Sequence, residues 1–214
     1  MRPAAPLTPT LSPEGRGSAR PAAGAPEALR APVGDGAGPL PAGERVGVRG
    51  RLAPETEAEL AAMVTEAAQA ATPLRLEGGG SRAGLGRPVA ASQTLSTARL
   101  DAVTLYEPAA LTLVAGAGAK LADIERMLAA EGQRLPFEPL DHRRIYGTGG
   151  EPTLGGMVAT NASGPRRIQA GACRDSLIGL RFVDGRGTVL KNGGRVMKNV
   201  TGYDLVKLLA GSHG

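Results

Sequence analysis

The sequence predicts an α+β fold whose first half alternates strands with helices and whose second half favours antiparallel strands. Two amphipathic helices flank two short apolar strands between residues 54 and 128, which is the pattern of α/β units. Further along, residues 178–183 and 188–191 predict two strands joined by a turn that begins Asp184-Gly185, a dipeptide typical of hairpins. The first 50 residues show neither pattern.

The first predicted helix begins at Pro54, a residue suited to the first turn of a helix. Apolar residues then recur at helical spacing and predict one buried face. A strand predicted at residues 74–77 follows, and it leads directly into a glycine run that starts at Gly78. The members of the apolar face are Leu60, Met63, Val64, Ala67 and Ala71.

A second strand, predicted at residues 111–115, is followed by Gly116-Ala117-Gly118 and by a second helix. In that helix Leu121, Ile124 and Leu128 share one face, so we expect the helix to pack on the core by that face. The remaining predicted segments are an irregular connection at 132–152, a small-residue segment at 154–162 and a final helix at 203–210 that stops at Gly211.

Residues 1–50 contain 9 Pro, 9 Gly and 10 Ala but no aromatic residue. Such a segment buries too little apolar surface to offset the entropy of ordering, so we predict a disordered arm. An upstream start codon, giving an arm without a function, is a second interpretation. We predict one domain at residues 51–214, and the stop at Gly214 directly after a helix cap suggests that the sequence is a piece of a longer protein.

Composition argues against several classes of function. Only five aromatic residues occur, and the basic residues are interleaved with acidic ones, so we expect no nucleic-acid surface. One cysteine excludes an internal disulfide, and two isolated histidines do not make a structural zinc site. No segment approaches the roughly 20 apolar residues of a membrane span. We therefore expect a cytoplasmic protein that meets a membrane only peripherally.

The run Gly78-Gly79-Gly80 follows a predicted strand and is the first candidate for a binding site. Consecutive glycines accept positive φ values and place successive N–H groups around one concavity, as in loops that cradle phosphate oxygens. Ser81 and Arg82 add a hydroxyl group and a cation beside that run. A flexible turn without a ligand is the alternative interpretation of the same residues.

Two familiar nucleotide-binding motifs do not fit this sequence. Residues 79–84 have the glycine spacing of a Walker loop, but Leu85 and Gly86 replace the lysine and the hydroxyl residue that bind phosphate and magnesium. Gly116-Ala117-Gly118 resembles the start of a dinucleotide fingerprint, yet Leu121 stands where the third glycine is required. We interpret that segment as a tight turn between a strand and a helix.

A second cluster of small and polar residues extends from Thr153 to Gly164. Paired glycines beside hydroxyl and amide side chains allow a backbone to approach a flat or phosphorylated ligand closely, while a few polar groups fix its orientation. A small-residue helix packed tightly against another helix is the alternative interpretation. The cluster is therefore the second candidate for a binding site.

Six motifs occur in one order along the chain: Glu77-Gly78-Gly79-Gly80-Ser81, residues 132–139, Thr153-Leu154-Gly155-Gly156, residues 161–167, Gly171-Ala172-Cys173-Arg174-Asp175 and residues 196–205. Together they resemble the PCMH-type FAD-binding domain of the vanillyl-alcohol-oxidase superfamily, most closely the FAD-binding subunits of bacterial glycolate oxidase. The resemblance covers about residues 52–214 and implies a fold of two α/β subdomains.

The resemblance implies FAD as the cofactor. It implies non-covalent binding, because none of His142, Cys173 and His213 falls in the first glycine loop. The loop would line the pyrophosphate, Pro136 would lie beside the flavin, and the second cluster would form another wall. The implied cofactor-binding residues are Gly78, Gly79, Gly80, Ser81, Arg82, Pro136, Thr153, Gly155, Gly156, Asn161, Gly164, Gly171 and Asp175.

Some of these residues have an alternative role. Asp175 could instead cap a helix or pair with Arg174. Two neighbouring basic residues, Arg166 and Arg167, either reach an anion or are exposed solvated charges. Within the last motif we expect Lys198, Asn199 and Tyr203 to serve domain packing rather than chemistry.

The resemblance also implies a function, the oxidation of a small 2-hydroxy acid such as glycolate to a 2-oxo acid, in which the flavin accepts hydride. The implied partners are a D-type flavoprotein subunit and an iron–sulfur subunit, in a complex that is cytoplasmic or peripheral on the inner membrane. A D-lactate dehydrogenase-type flavoprotein and a non-catalytic scaffold subunit are the alternatives. Substrate-binding groups are expected in a cap domain or a partner, so the sequence assigns no catalytic residue.

Overall fold

The computed structural model describes residues 50–87, 89–195 and 202–214, which all fall within one unit, Glu44–Gly214. The disordered arm predicted at residues 1–50 lies outside the described residues except for Gly50, which belongs to a strand. Lys198 and Asn199, expected to serve domain packing, also lie outside them. The described residues mix helices and strands, as the sequence predicts.

The first half is built on a parallel sheet of three strands in the order β1-β3-β2. The predicted strand at 74–77 is confirmed as β2, whereas β1 and β3 were not predicted. The sequence of β3, Gln-Thr-Leu-Ser, shows no apolar alternation, yet three of its four residues are buried because it is the central strand. The strands are β1 (Gly50–Leu52), β2 (Leu74–Glu77) and β3 (Gln93–Ser96).

Helix α1 (Glu57–Gln69) connects β1 to β2, and its predicted start at Pro54 is wrong. Thr56 caps the helix, since its hydroxyl oxygen accepts a hydrogen bond from the Glu59 amide at 3.2 Å. The Glu59 carboxylate accepts in turn from the Glu55 amide at 2.8 Å. The Thr56 cap satisfies an amide that the first turn leaves without a partner, and the Glu55–Glu59 hydrogen bond ties the residue before the cap to that turn, so together they fix the helix start.

The face predicted for α1 is confirmed in part. Leu60, Met63 and Val64 are half-buried and Ala67 is buried, as their spacing indicates. Ala71 is exposed and has a φ of 50°, because the helix ends before it. The helix therefore packs by fewer residues than the sequence pattern contains.

An antiparallel pair, β4 (Val103–Glu107) and β5 (Thr112–Ala115), follows the parallel sheet. The sequence predicts a repeated strand-helix unit here, but β5 pairs with β4 and does not extend the parallel sheet. Leu111 has a φ of 51° and therefore precedes the strand. Helix α2 (Leu121–Ala130) buries Leu121, Ile124 and Leu128, which confirms its predicted face.

Four short helices occupy the middle of the chain. The connection predicted as irregular at 132–152 contains one of them, α3, and the small-residue segment forms α4. Glycines and alanines in α4 let neighbouring backbones approach closely, so the segment packs as a helix despite its composition. The helices are α3 (Arg143–Tyr146), α4 (Leu154–Thr160), α5 (Arg167–Ala170) and α6 (Cys173–Ser176).

The predicted hairpin is confirmed as β6 (Gly179–Val183) paired antiparallel with β7 (Val189–Gly193). Asp184 closes its turn, since its amide donates to the Thr188 carbonyl at 2.9 Å and its carbonyl accepts from the Gly187 amide at 3.0 Å. Helix α7 (Leu205–Leu209) follows and is shorter than predicted. Within the described part of the chain, no helix has both the length and the apolar character to cross a membrane.

Two clusters of buried side chains hold the middle of the chain together. One joins α2 to α4, α6 and the loop residue Phe137, and the other lies along α2. Leu135 and Leu154 pack against both clusters. The buried members are Leu121, Phe137, Met157 and Cys173 in the first cluster, and Ala119, Ile124 and Leu128 in the second.

Candidate functional site

The glycine run after β2 packs directly against the start of α4. A Cβ at Gly78 would lie 2.6 Å from Oγ1 of Thr153, and a Cβ at Gly79 would overlap the carbonyl oxygen of Glu151. Gly80 has a φ of +78° and forms an isolated bridge with Glu151. At each of these three positions, either a side chain would clash or the backbone conformation favours glycine. The close contacts place the two sequence-predicted clusters next to each other.

The amides of this run are available to a ligand. Gly78, Gly79 and Gly80 are half-buried, and none of their N–H groups donates a backbone hydrogen bond to another described residue. Consecutive amides of this kind form a concavity that suits phosphate oxygens. Ser81, in contrast, is buried, and its carbonyl oxygen accepts a hydrogen bond from the Thr148 hydroxyl at 2.7 Å.

Arg82 lies beside the run with a half-buried guanidinium group. Its Nε donates to Nδ1 of His142 at 3.1 Å, and its Nη2 donates to the Leu140 carbonyl at 3.1 Å and to Sδ of Met157 at 3.4 Å. Among the ion pairs of the described residues, none involves Arg82. Burial lowers the pKa of Arg82, although the charge of Asp141 opposes that shift. The site therefore holds a partly desolvated cation without a carboxylate partner.

Two other arginines near the site are paired with carboxylates. Arg143 pairs with Asp141 at 2.8 Å and with Glu151 at 3.1 Å, and a hydrogen bond from Arg143 lowers the pKa of Asp141. Arg166 pairs with Glu138, whose pKa is lowered mainly by that hydrogen bond. Of the two interpretations given for Arg166 and Arg167, an anion contact or exposed charges, the exposed charges are observed, and Arg166 in addition pairs with the Glu138 carboxylate.

The first amides of α4 are already used within the protein. The Leu154 amide donates to the Ala119 carbonyl and the Gly155 amide to the Ala117 carbonyl, both at 2.8 Å. Gly156 donates to the Thr153 hydroxyl at 3.3 Å, so Thr153 is the N-cap of the helix. Because these amides have partners, α4 offers a wall for a ligand rather than a set of free donors.

Two glycines at the start of α4 have different surroundings. A Cβ at Gly155 would lie 2.7 Å from the Ala117 Cβ, so this glycine allows the turn at residues 116–118 to pack on α4. A Cβ at Gly156 would lie 3.7 Å from Nη1 of Arg82. Gly156 therefore leaves the space beside the guanidinium group open.

Asn161, Gly171 and Asp175 build the connection from α4 to α6. Asn161 ends α4 in the left-handed conformation, and its Oδ1 accepts from the Arg174 amide at 2.9 Å. Asp175 accepts from the Ala172 amide at 2.8 Å, which is the capping role given as its alternative. Gly171 has a φ of +85°, which favours glycine. Through these contacts the three residues hold the connection between α4 and α6 in place.

Gly164 and Pro136 lie at the segment that contains Phe137. The Gly164 amide donates to the Phe137 carbonyl at 3.0 Å, and a Cβ at Gly164 would lie 2.7 Å from the Glu138 Cβ. Pro136 is exposed. Beside it lies a groove of about 310 Å³ lined by Glu125, Ala129, Gln133, Arg134, Leu135, Glu138 and Pro139.

Sequence reasoning did not assign His142 or Leu140 to the site. Both contact the Arg82 guanidinium, although 60 and 58 residues separate them from it along the chain. His142 was considered only as a zinc ligand and as a flavin attachment point. No local pattern marks either residue, so only the tertiary contacts reveal them.

Comparisons with known proteins identify the family of this chain. A family model described as an FAD binding domain matches residues 48–193. Glycolate oxidase subunit GlcE of Escherichia coli is 44% identical over 151 residues, which are 71% of this chain and 41% of that protein. D-lactate dehydrogenase of Archaeoglobus fulgidus is 30% identical over 163 residues, which are 75% of this chain and 34% of that protein.

A solved structure shows the same fold. Alkyldihydroxyacetonephosphate synthase aligns with a TM-score of 0.58 and 21% identity, over 77% of this chain and 31% of that one. The chain spans about two fifths of the length of the glycolate oxidase subunit and about a third of the length of the D-lactate dehydrogenase. The family model covers more than half of the chain, and the free amides and unpaired guanidinium group fit the pyrophosphate of FAD. The chain therefore belongs to the FAD binding domain family, and FAD is its cofactor.

Proposed function

We propose that this chain is the FAD-binding part of an oxidase or dehydrogenase complex that oxidises a small 2-hydroxy acid, with glycolate as the first candidate. The observation that carries the binding site is the Arg82 guanidinium group, half-buried without a carboxylate partner beside the free amides of Gly78–Gly80. A desolvated cation of this kind is stabilised by an anionic ligand. The similarity to GlcE supports the reaction.

In this proposal the glycine run and the start of α4 would hold the pyrophosphate of FAD. The amides of Gly78, Gly79 and Gly80 would donate to its oxygens, and Arg82 would supply a positive charge. Bound FAD supplies the chemistry, by accepting hydride from the substrate carbon that carries the hydroxyl group. The residues proposed to shape the site are Ser81 beside the glycine run, Pro136 beside the flavin, and Thr153, Gly155, Gly156, Asn161 and Gly164 in the second wall, with Gly171 and Asp175 following.

These wall residues act in two ways. Gly156 keeps the space beside Arg82 open, whereas Thr153 and Gly155 fix α4 against the glycine run and the turn at residues 116–118. Asn161 and Asp175 hold α6 in place through hydrogen bonds to backbone amides. We therefore propose that Gly156 contacts the cofactor directly. Thr153, Gly155, Asn161 and Asp175 support the site.

The partners and the location belong to the same proposal. We propose that the chain assembles with a D-type flavoprotein subunit and an iron–sulfur subunit, and that the complex is cytoplasmic or peripheral on the inner membrane. The similarity to a protein named as a subunit of glycolate oxidase supports assembly with other subunits.

A D-lactate dehydrogenase-type flavoprotein is the second candidate function, and the 30% identity to such an enzyme favours it. The same FAD site serves both candidates, so the site does not distinguish them. The substrate that is oxidised distinguishes them. Glycolate-dependent reduction of an artificial electron acceptor by the assembled complex supports the first candidate, and D-lactate-dependent reduction by a single chain supports the second.

Titration of FAD against the purified protein tests the cofactor site. We expect saturable binding, and we expect Arg82→Ala to weaken it by roughly tenfold or more, because hydrogen bonds to charged groups contribute about 1.5–3 kcal/mol. Arg87→Ala is the matched control, since Arg87 is exposed on the same loop. Wild-type protein that folds but binds no FAD would instead support the scaffold alternative.

A further inference from the structure

We propose that His142 is a positioning residue that orients the Arg82 guanidinium group toward the phosphates of the cofactor. The inference rests on the proposed FAD site and adds a residue that the sequence did not assign to it. Three described contacts carry it: the hydrogen bond from Arg82 to His142, the hydrogen bond from Arg82 to Leu140, and the space at Gly156 beside Nη1.

His142 and Leu140 occupy one edge of the guanidinium group. Nε and Nη2 form that edge, and they donate to Nδ1 of His142 and to the Leu140 carbonyl oxygen, each at 3.1 Å. Nη2 also contacts Sδ of Met157 at 3.4 Å. Within the described residues these are the hydrogen bonds of the group, so Nη1 keeps its two N–H donors for a ligand.

The free donors lie on the side of the glycine run. A Cβ at Gly156 would be 3.7 Å from Nη1, and the same Cβ would be 3.2 Å from the Thr153 hydroxyl oxygen, which itself lies against Gly78. Nη1 is therefore near the place where the glycine run meets α4. An arginine has many rotamers, and fixing one edge reduces the entropy lost when the other edge binds phosphate.

The hydrogen bond from Arg82 requires one tautomer of His142. Nδ1 lies 3.1 Å from Nε of Arg82 and 3.0 Å from the Leu140 carbonyl oxygen. An N–H at Nδ1 would donate to the Leu140 carbonyl oxygen and exclude the hydrogen bond from Arg82, so the proposal requires the ring proton on Nε2 and Nδ1 as the acceptor. A side chain at residue 142 must therefore present an acceptor toward Arg82.

The ring of His142 is held in place by its neighbours. It stacks on Tyr146, with ring centroids 5.9 Å apart and planes inclined by 18°. Tyr146 is fixed in turn by the glycine loop, since a Cβ at Gly84 would lie 3.2 Å from its ring. The stack on Tyr146 thus supports the His142 ring, as a residue that orients a binding group requires.

The experiment compares FAD with riboflavin, which lacks phosphate, in titrations of the wild-type protein and four variants. His142→Phe keeps an aromatic ring over Tyr146 but removes the acceptor, and His142→Gln retains an acceptor. The third variant is Arg82→Ala, and the fourth combines Arg82→Ala with His142→Phe. Circular dichroism and the thermal midpoint establish that each variant is folded.

We expect His142→Phe to weaken FAD binding by roughly three- to tenfold and His142→Gln by less than about twofold, with riboflavin affinity unchanged. In the Arg82→Ala background, His142→Phe has no further effect, because the two residues act together. An equal loss in both backgrounds, or no loss with His142→Phe, overturns the assignment of His142 alone. Failure of the wild-type protein to bind FAD overturns the FAD site as well.

Discussion

Gly78 lies against the side chain of Thr153, so closely that a methyl group at residue 78 would come within 2.6 Å of the Thr153 hydroxyl oxygen. That oxygen accepts the hydrogen bond that caps α4. A change at residue 78 therefore acts on two parts of the site at once, the glycine run and the start of the helix.

Replacement of Gly78 by alanine is expected to weaken FAD binding by roughly five- to 150-fold. The added methyl group displaces Thr153 or the glycine run, and strain from overpacking costs about 1–3 kcal/mol. FAD titration gives the affinity. Gly149→Ala is the control, because no atom lies within 4 Å of a Cβ there and its φ is not positive. Equal affinities for the two variants would contradict the close contact.

Asp175→Ala is expected to lower the free energy of unfolding by about 1 kcal/mol, because the carboxylate caps α6 at the Ala172 amide. Asp175→Asn keeps an acceptor and loses less. Urea unfolding followed by circular dichroism measures both. Asp123→Ala, which removes an exposed ion pair with Arg126, is the control and costs less than about 1 kcal/mol. Weaker FAD binding by Asp175→Ala without lower stability would refute a purely capping role.

Asp184 makes the β6–β7 hairpin sensitive to acid. The Thr188 and Arg186 amides donate to its carboxylate, and they lower its pKa relative to the unfolded chain. The resulting stability is fully present above the unfolded pKa of about 3.9 and is lost as the pH falls through the folded value. Thermal unfolding should show the gap between wild type and Asp184→Asn narrowing from about pH 7 to about pH 3. A gap independent of pH would contradict this role.

Cys173 is expected to resist thiol reagents in the folded protein. It is buried, and burial raises the pKa of its thiol to about 11, although the nearby Arg82 charge opposes that shift. At about pH 8 only on the order of one thiol in a thousand is then ionised. Labelling with a disulfide reagent should be slow in native protein and fast in urea. Rapid labelling of the native protein would show that Cys173 is accessible.

Apolar periodicity and turn residues predicted the elements whose formation depends on local sequence. The face of α2 was predicted because Leu121, Ile124 and Leu128 repeat at helical spacing, and the β6–β7 hairpin because Asp184-Gly185 favours a tight turn. The central strand β3 was missed because its burial results from its two neighbours rather than from its own sequence. The pairing of β5 with β4 was missed for the same reason, since strand partners lie outside any local pattern.

The sequence by itself determined the family and the glycine-rich clusters, because backbone conformations with positive φ and close backbone approach require glycine at particular positions. Tertiary structure decided what each of these residues does. It placed Gly78 against Thr153, gave Asp175 a cap, and brought His142 to Arg82 across 60 residues. Hydrogen bonds and steric contacts between distant segments depend on the folded path of the chain, and residue spacing does not encode them.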